Sequence, residues 1–420
     1  SRRVLAAFAM RFQQYTAPVM AKGFEDTALY NYNRLISLNE VGGDPMRFGI
    51  SVSAFHHLGR ERAKFWPQSM LGTTTHDTKR SEDVRARINV LSEIPRDWDT
   101  DVFRWARINR SRKRRLDQRR APDRNDEYLL YQTLIGSWPL EAQDAKGHSN
   151  YVTRIKDYML KAAREAKRRT SWTIPDEGYE QALTQFVEAI LDDREGNLFL
   201  EDFIPCAQRI ARLGLCNSLA QCLLKFTIPG VPDIYQGNEL WDLSLVDPDN
   251  RRPVDYALRN RLLDELIVLS NSRADSLAGR VRSLLETPED GRMKMYLTWK
   301  LLGFRREHPE LFRNGDYQAL ESRGRLAAHL CAFARIAKDE TLITVAPRLF
   351  DKITEGGAHL PLGERWTGTW LQAPAAVQAK QYKNILTGEP VHVDLEADTA
   401  WLSASEIFAS FPVAALTRAV

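Results

Sequence analysis

The sequence predicts an α/β region followed by an all-β domain, and three features of the chain support this. Residues 70–75 are small, apolar or β-branched, as in a buried strand, and they lead through a polar loop into a helical pattern. A second short strand is expected at 231–239, after a long apolar helix and the turn Ile228-Pro229-Gly230. From residue 314 onward the hydrophobic period changes to two, which is typical of strands.

The bulk properties are those of a soluble globular protein. The chain has 420 residues, enough for two or three domains, with 43% hydrophobic and 27% charged residues. It contains no run of about 18 apolar residues, so we expect no membrane-spanning helix. The net charge of +4 gives no general argument for a nucleic-acid partner. The basic and then apolar start is interrupted by Arg11, which favours a helix over a signal peptide.

The cysteines and histidines predict no metal site. The four cysteines, Cys206, Cys216, Cys222 and Cys331, form neither CxxC pairs nor zinc-like spacings. The first three lie in one apolar helical stretch. We expect buried free thiols and a reducing, cytoplasmic location. His56 and His57 are adjacent and have no partner ligand at i+4, and no calcium-type loop is present, so no cofactor is predicted.

Two helix starts are predicted around the first strand. Asp44 is expected to cap a helix whose first residue is Pro45, after the turn at Gly42-Gly43. Ser81 is expected to cap a second helix, and its apolar face is formed by Val84, Ile88 and Leu91. Between the first strand and this second helix lies a polar loop with four candidate site residues, which are His76, Asp77, Lys79 and Arg80.

The string Thr75–Arg85 reads Thr-His-Asp-Thr-Lys-Arg-Ser-Glu-Asp-Val-Arg. It resembles the seventh-strand motif of glycoside hydrolase family 13, the α-amylase superfamily, and in this extended form its maltooligosyl trehalose synthase branch. Residues 229–239, a Pro-Gly turn and a strand ending Tyr-x-Gly-x-Glu, resemble the eighth-strand signature of the superfamily. The resemblance covers nearly the whole chain, including the segments Met20–Tyr30, Ser37–Pro45 and Trp241–Tyr256.

The resemblance implies the C-terminal part of a (β/α)8 TIM barrel. Its barrel portions would be residues 1–96, with the seventh-strand motif, and 196–310, with the eighth-strand motif. A large helical insertion at 97–195 would separate them, and an antiparallel β-sandwich domain would follow at 311–420. In such barrels the chemistry lies at the C-terminal ends of the strands.

The same resemblance implies roles for the polar loop. Asp77 would be the third carboxylate of the site, hydrogen-bonding ring hydroxyls beside the reacting carbon, and His76 would donate to a neighbouring hydroxyl. Lys79 and Arg80 would orient sugar oxygens, and Tyr235 would line the floor of the pocket. Without the resemblance, Asp77 is equally a helix-capping carboxylate and His76 a buried, hydrogen-bonded imidazole.

A charged and aromatic segment near the N-terminus is a second candidate. Its charges could hydrogen-bond sugar hydroxyls, and its tyrosines could stack on apolar sugar faces. The alternative is the start of a capped helix with the tyrosines in the core. The residues concerned are Lys22, Glu25, Asp26, Tyr30 and Tyr32.

The stretch Arg107–Arg120 is strongly basic and has two interpretations, a nucleic-acid patch or a solvated helix face. The aromatic residues that would interleave to stack on bases are missing from it. Acidic residues return at Asp123, Asp126 and Glu127. These two observations favour the solvated face.

The implied activity is that of a (1→4)-α-D-glucan 1-α-D-glucosylmutase. It would convert the reducing-end α-1,4 bond of a maltooligosaccharide to an α,α-1,1 bond by retaining intramolecular transglycosylation. Retention needs a nucleophile and an acid/base about 5–5.5 Å apart, and we find neither of the family's motifs for them in residues 1–68. We therefore expect the C-terminal portion of a longer enzyme, inactive without its N-terminal portion. The alternatives are an α-amylase-type hydrolase and a non-catalytic glucan-binding fragment.

Overall fold

The computed structural model describes residues 2–116, 119–272, 275–374 and 379–419. Helices dominate the first part of the chain. In order, its helices and strands are α1 (Arg2–Met20), α2 (Val52–Phe65), β1 (Met70–Leu71), α3 (Glu82–Asn89), α4 (Pro95–Ile108), β2 (Arg114–Leu116), β3 (Arg119–Ala121), α5 (Arg124–Ser137), α6 (Ala145–Ala166), α7 (Glu177–Ile190) and α8 (Leu198–Thr227).

Strands dominate the second part. In order, its elements are β4 (Val231–Pro232), α9 (Tyr256–Asn271), α10 (Leu277–Ser283), α11 (Arg292–Glu307), α12 (Pro309–Asn314), β5 (Asp316–Ala319), β6 (Ser322–Gly324), β7 (Leu330–Ala337), β8 (Glu340–Pro347), α13 (Phe350–Ile353), β9 (Thr369–Gln372), β10 (Gln381–Asn384), β11 (Pro390–Glu396), β12 (Thr399–Ser403), α14 (Ala404–Ile407) and β13 (Ala414–Arg418). Together with the first part they make a mixed helix and strand protein.

Many helices begin where a short polar side chain accepts a hydrogen bond from the first turn. Such caps satisfy backbone N–H groups that have no partner within the helix. The predicted cap is confirmed at Ser81, whose side chain accepts from the amide of Val84. Further side-chain caps are Ser51 at α2, Asp123 at α5, Asp144 at α6, Asp176 at α7, Asp255 at α9 and Ser276 at α10.

The chain divides into two compact units. The first contains Ser1–Phe48, His76–Gln208 and Leu243–Arg251. Its core is aromatic, and the fully buried Trp105 makes edge contacts with the rings of Tyr131 and Phe203.

The second unit contains Gly49–Thr75, Arg209–Asp242 and Arg252–Val420. In it the two predicted short strands lie side by side, because β1 pairs with β4 in parallel, with Met70 opposite Val231. The close approach requires glycine at 230. A Cβ there would lie 2.6 Å from the Leu71 side chain, and the φ of +140° disfavours other residues.

The second unit also holds an antiparallel sheet. In the described part of the chain nine strands pair in the order β5-β7-β8-β13-β10-β11-β12-β9-β6. The two edge strands, β5 and β6, are separated in sequence only by residues 320–321. Since two residues bridge only a few ångströms, the sheet curls until its edges approach each other. The predicted change to strands after residue 314 is confirmed.

The helix predicted to start at Pro45 is wrong. Residues 45–50 form a turn and extended chain, and the side chain of Asp44 accepts from the amide of Met46 instead of capping a helix. Gly49 has a φ of +75°, which interrupts any helix, and α2 begins only after its own cap at Ser51.

The basic stretch is also not one continuous helix. It comprises the end of α4, a 3-10 turn at Asn109–Arg112 and the antiparallel hairpin β2–β3. Proline at 122 and the capping Asp123 then separate the hairpin from α5. Three helices of the predicted insertion, α5 to α7, are present with their apolar faces buried. Among the helices that the structure describes, none is long and apolar enough to cross a membrane.

Candidate functional site

The loop after β1 divides into an exposed half and a buried half. His76 and Asp77 are exposed at a turn, whereas Lys79 and Arg80 are 3% and 1% exposed. Consecutive polar residues therefore face different surroundings. The exposed pair is accessible to a ligand, and the buried pair must find partners inside the protein.

Glu40 holds the buried half through its backbone. Its carboxylate accepts from the amide of Lys79 at 2.7 Å and from the amide of Arg80 at 3.3 Å. The same group accepts from the amide of Val41 at 2.9 Å, and the guanidinium of Arg85 lies 3.8 Å away. Because Glu40 is only 7% exposed, these contacts form with little competition from water.

The Arg80 side chain points into the core of the first unit. It donates to the backbone oxygen of Ile36 at 3.2 Å and to the hydroxyl of Tyr158 at 2.6 Å. Its backbone forms an isolated antiparallel bridge with Leu245. These contacts tie the loop to three other segments of the same unit, so Arg80 fixes the position of the loop.

The exposed half is held by the segment 244–250. The side-chain amide of Asn250 donates to the backbone oxygen of His76 at 3.0 Å, and the amide of Ser81 donates to the backbone oxygen of Ser244 at 3.0 Å. Asp249 anchors the segment in turn, because it accepts two hydrogen bonds of 2.8 Å from Arg154. The turn that carries His76 and Asp77 is thus bonded on both sides.

Asp26 lies between two lysines. One carboxylate oxygen is 3.0 Å from the buried Lys79 ammonium, and the other is 2.5 Å from the Lys22 ammonium, whose side chain is 74% exposed. Burial opposes ionisation of Asp26, but hydrogen bonds from both lysines outweigh it and lower its pKa. The hydrogen bond to Asp26 raises the pKa of Lys22, and the charge of Asp77 adds a smaller effect.

The remaining predicted site residues are more scattered. Glu25 accepts from the amide of Gly42 at 3.1 Å, which connects the charged segment to the turn before Asp44. Tyr30 is 3% exposed, and burial raises its pKa well above the usual value, so its ring belongs to the core, as in the alternative interpretation. Tyr32 is half-buried, and its backbone oxygen accepts from Asn39 at 2.7 Å. Tyr235 is half-buried in the second unit, where its backbone oxygen accepts from the amide of Asn238.

The structure therefore brings the side chains of Lys22, Asp26 and Lys79 together as two ion pairs that share Asp26. Sequence reasoning missed Glu40 and Asn250 as the residues that hold the loop. Both lie in segments that resemble the synthase branch, Ser37–Pro45 and Trp241–Tyr256, and that resemblance was the available signal. The arrangement can form hydrogen bonds with a hydroxyl-rich ligand through the exposed His76 imidazole, Asp77 carboxylate and Lys22 ammonium.

Comparison with known proteins gives a consistent result, although no protein-family model matches the sequence. A curated Mycobacterium tuberculosis protein, provisionally named maltooligosyl trehalose synthase, is 35% identical over 412 residues, which are 98% of this chain and 45% of that protein. The structure of maltooligosyltrehalose synthase from Arthrobacter ramosus has a TM-score of 0.76 at 37% identity and covers 98% of this chain and 46% of its own. A Sulfolobus tokodaii protein described as a hypothetical maltooligosyl trehalose synthase has a TM-score of 0.72 at 31% identity and covers 99% of this chain and 48% of its own.

The resemblance expected from the motifs is thus confirmed along almost the whole chain, and it falls on the C-terminal portion of the relatives. The chain spans about half the length of the curated relatives it matches.

Proposed function

We propose that this chain is the substrate-holding portion of a maltooligosyl trehalose synthase. The observation that carries the proposal is the 35% identity across 98% of the chain to a relative of that name. The reaction would be the conversion of the reducing-end α-1,4 bond of a maltooligosaccharide to an α,α-1,1 bond. The released glucose would be held in the site and rejoined through its own anomeric oxygen.

In this proposal Asp77 and His76 contact the sugar directly. Positive charge develops at the anomeric carbon in the transition state, and hydrogen bonds from the neighbouring hydroxyls to a carboxylate strengthen as it does. The bonds from Asn250 and Glu40 to the loop keep both side chains in place, so little reorganisation is needed during the reaction. Exclusion of water would favour transfer over hydrolysis.

Lys79 and Arg80 take supporting roles in the same proposal. Lys79 acts through Asp26, which also pairs with Lys22. The exposed Lys22 ammonium is the member of these three side chains that reaches a sugar oxygen. Arg80 is a positioning residue, because its guanidinium is occupied by Ile36 and Tyr158. Glu25 and Tyr32 remain candidates for the outer part of the site, and the role of Tyr235 stays the one that the resemblance implies.

The finer architecture belongs to the same proposal. We assign β1 and β4 as the seventh and eighth strands of a (β/α)8 barrel, with the portions 1–96 and 196–310, the insertion 97–195 and a β-sandwich at 311–420. The nucleophile and the acid/base would come from the remaining portion of the enzyme, so this chain alone would show no turnover. The enzyme would act in the cytoplasm on maltooligosaccharides.

The test uses the full-length enzyme with maltopentaose. A synthase removes reducing ends without releasing free glucose, whereas an amylase-type hydrolase creates reducing ends. We expect loss of reducing ends, and we expect Asp77→Asn to lower kcat by about 10²–10³, the range for loss of one polar group that stabilises a transition state. Asp264→Asn, at an exposed position on α9, is the matched control and should leave the rate unchanged. Near-normal turnover by Asp77→Asn, or a rise in reducing ends, would contradict the assignment.

A further inference from the structure

The basic stretch of the first unit surrounds a cavity that the proposed reaction does not use. The cavity has a volume of about 1180 Å³ and is bounded by α4, the hairpin β2–β3, the start of α5 and the N-terminal end of α7. Six arginines line it. Arg169 pairs with Asp123 at 3.2 Å, and the other five are Arg107, Arg110, Arg119, Arg120 and Arg124. All five are exposed.

Carboxylates of the described residues do not neutralise these five guanidinium groups. Among the residues that the structure describes, none of the five forms an ion pair with a carboxylate. Arg120 donates to the backbone oxygen of Arg110 at 3.2 Å, which ties the hairpin to the preceding turn and leaves its charge in place. A protein that only needed solubility would gain nothing from gathering such charges around one cavity, since like charges repel.

The carboxylates on the same wall already have partners. Asp123 caps α5 with one oxygen and lies 3.2 Å from Arg169 with the other. Glu127 pairs with the buried ammonium of Lys113 at 2.6 Å. Asp176 caps α7 by accepting from the amide of Tyr179 at 2.9 Å. Asp176 keeps its negative charge, because a helix cap is not an ion pair, but the five arginines outnumber it. The net charge of the described residues around the cavity is therefore positive.

The frame that carries the arginines is fixed. Asn109 donates to the hydroxyl of Tyr131 at 3.0 Å, and Arg112 bonds both Asn109, at 2.6 Å, and Asn197, at 2.7 Å. These bonds hold the turn between α4 and β2. A ligand would thus order long side chains on a backbone that is already in place, which lowers the entropy lost on binding.

One edge of the cavity is aromatic. Phe103 is 70% exposed and lies one turn before Arg107 on α4, so the two side chains share a helix face. Tyr128, from α5, is half-buried in the same wall. The aromatic residues that are missing from the basic stretch itself are supplied by the two flanking helices.

We propose that this cavity binds the polyphosphate group of a small molecule. Guanidinium groups bind phosphate oxygens through paired, charge-assisted hydrogen bonds, and five of them suit a ligand with several phosphates. The volume is close to the roughly 300–1,000 Å³ of small-molecule pockets, which favours a compact ligand over a nucleic acid. The polyphosphate could be inorganic or part of a nucleotide whose base contacts Phe103.

The test measures binding of inorganic tripolyphosphate and of ATP to the full-length protein by calorimetry at low ionic strength. The variant Arg110→Gln with Arg119→Gln removes two of the charges, and Arg313→Gln removes one exposed charge from α12 as the matched control. Circular dichroism verifies that each variant is folded. We expect tripolyphosphate to bind with a Kd that the double variant weakens at least tenfold and that Arg313→Gln leaves within twofold.

Comparison of the ligands identifies the source of the phosphates. Equal affinity for ATP and tripolyphosphate would support an inorganic ligand. If ATP binds more tightly than tripolyphosphate and Phe103→Ala removes that difference, the ligand is a nucleotide. No binding of either at millimolar concentration, or equal weakening by Arg313→Gln, would overturn the proposal. Tighter binding of a ten-residue single-stranded oligonucleotide than of ATP would overturn it in favour of a nucleic-acid surface.

Discussion

Replacing Glu40 with alanine tests whether one buried carboxylate holds the polar loop. In the protein it accepts from the amides of Lys79, Arg80 and Val41, with distances of 2.7, 3.3 and 2.9 Å. Alanine removes both oxygens and leaves the loop amides without this acceptor in a place from which water is largely excluded. The change does not touch His76 or Asp77.

The magnitude follows from the two loop bonds. A hydrogen bond to a charged group is worth about 1.5–3 kcal/mol, so loss of two makes opening of the loop easier by at least about 3 kcal/mol. Because 1.4 kcal/mol is a factor of ten, the amides of Lys79 and Arg80 should exchange with solvent about 150-fold faster. Glu40→Gln keeps one acceptor oxygen, and we expect an increase of about tenfold.

Hydrogen–deuterium exchange of the segment 76–81 measures this directly. Glu61→Ala, at an exposed position on α2, is the matched control and should leave the segment unchanged. In the full-length enzyme Glu40→Ala should also lower kcat, since the loop that carries Asp77 would keep only its bonds to the segment 244–250 and to the core. Exchange at Lys79 and Arg80 within threefold of the unchanged protein would refute the reasoning, because it would mean that other contacts hold the loop.

Three further predictions concern stability, measured as the free energy of unfolding. Burial raises the pKa of Asp126 to about 6, so the folded protein holds this proton more tightly than the unfolded chain does. The stability that this proton provides is present below the ordinary aspartate pKa and is lost as the pH rises through 6, so Asp126→Asn should change little at pH 4 and stabilise by ~3 kcal/mol at pH 7. An effect of Asp126→Asn that does not vary with pH would contradict this. Ser81→Ala should destabilise by about 1 kcal/mol through loss of the cap on α3, and Ser81→Asn should restore most of it. Gly136→Ala would bring a methyl group within 2.8 Å of Val84 and Ile88 and should destabilise by roughly 1–3 kcal/mol. Gly303→Ala on α11 is the control, because no atom lies within 4 Å of the added methyl group, and it should stabilise by about 0.5–1 kcal/mol.

Local signals were sufficient where structure depends on neighbours in sequence. Ser81 accepts from an amide three residues later, and Val84, Ile88 and Leu91 are all buried, as the helical period predicts. The second strand was also identifiable from the Pro-Gly turn before it, although only Val231–Pro232 form a strand. The glycine of that turn is required by the approach of Leu71. In each case the sequence feature and its structural cause lie in a few adjacent residues.

Prediction failed where two local signals compete. Asp44 and Pro45 are residues typical of a helix start, but the positive φ of Gly49 prevents a helix from continuing past its first turn. In the basic stretch, arginine is compatible with helix and strand alike, and Pro122 with Asp123 makes the hairpin end where α5 begins. Charge alone therefore could not decide the secondary structure there.

The site shows a different limit. Glu40 is 39 residues from Lys79 in sequence, and its bonds go to backbone amides, which every residue has. No pairing of residue types could have revealed that contact. Tyr30 illustrates the converse, since an aromatic residue beside charges looks like a sugar platform until its 3% exposure is known.

The six residues Thr75–Arg80 look like one functional unit in sequence, but their physical roles divide. His76 and Asp77 are exposed, whereas Lys79 and Arg80 bind Asp26, Ile36 and Tyr158 inside the first unit. Substitution at either half should lower activity, so activity alone cannot distinguish contact with the sugar from support of the loop. The distinction lies in stability: loss of Arg80 removes a buried hydrogen-bonded charge and should destabilise the fold, while loss of the exposed Asp77 carboxylate should affect mainly the reaction. Within this motif, the exposed His76 and Asp77 therefore depend on buried neighbours for their position.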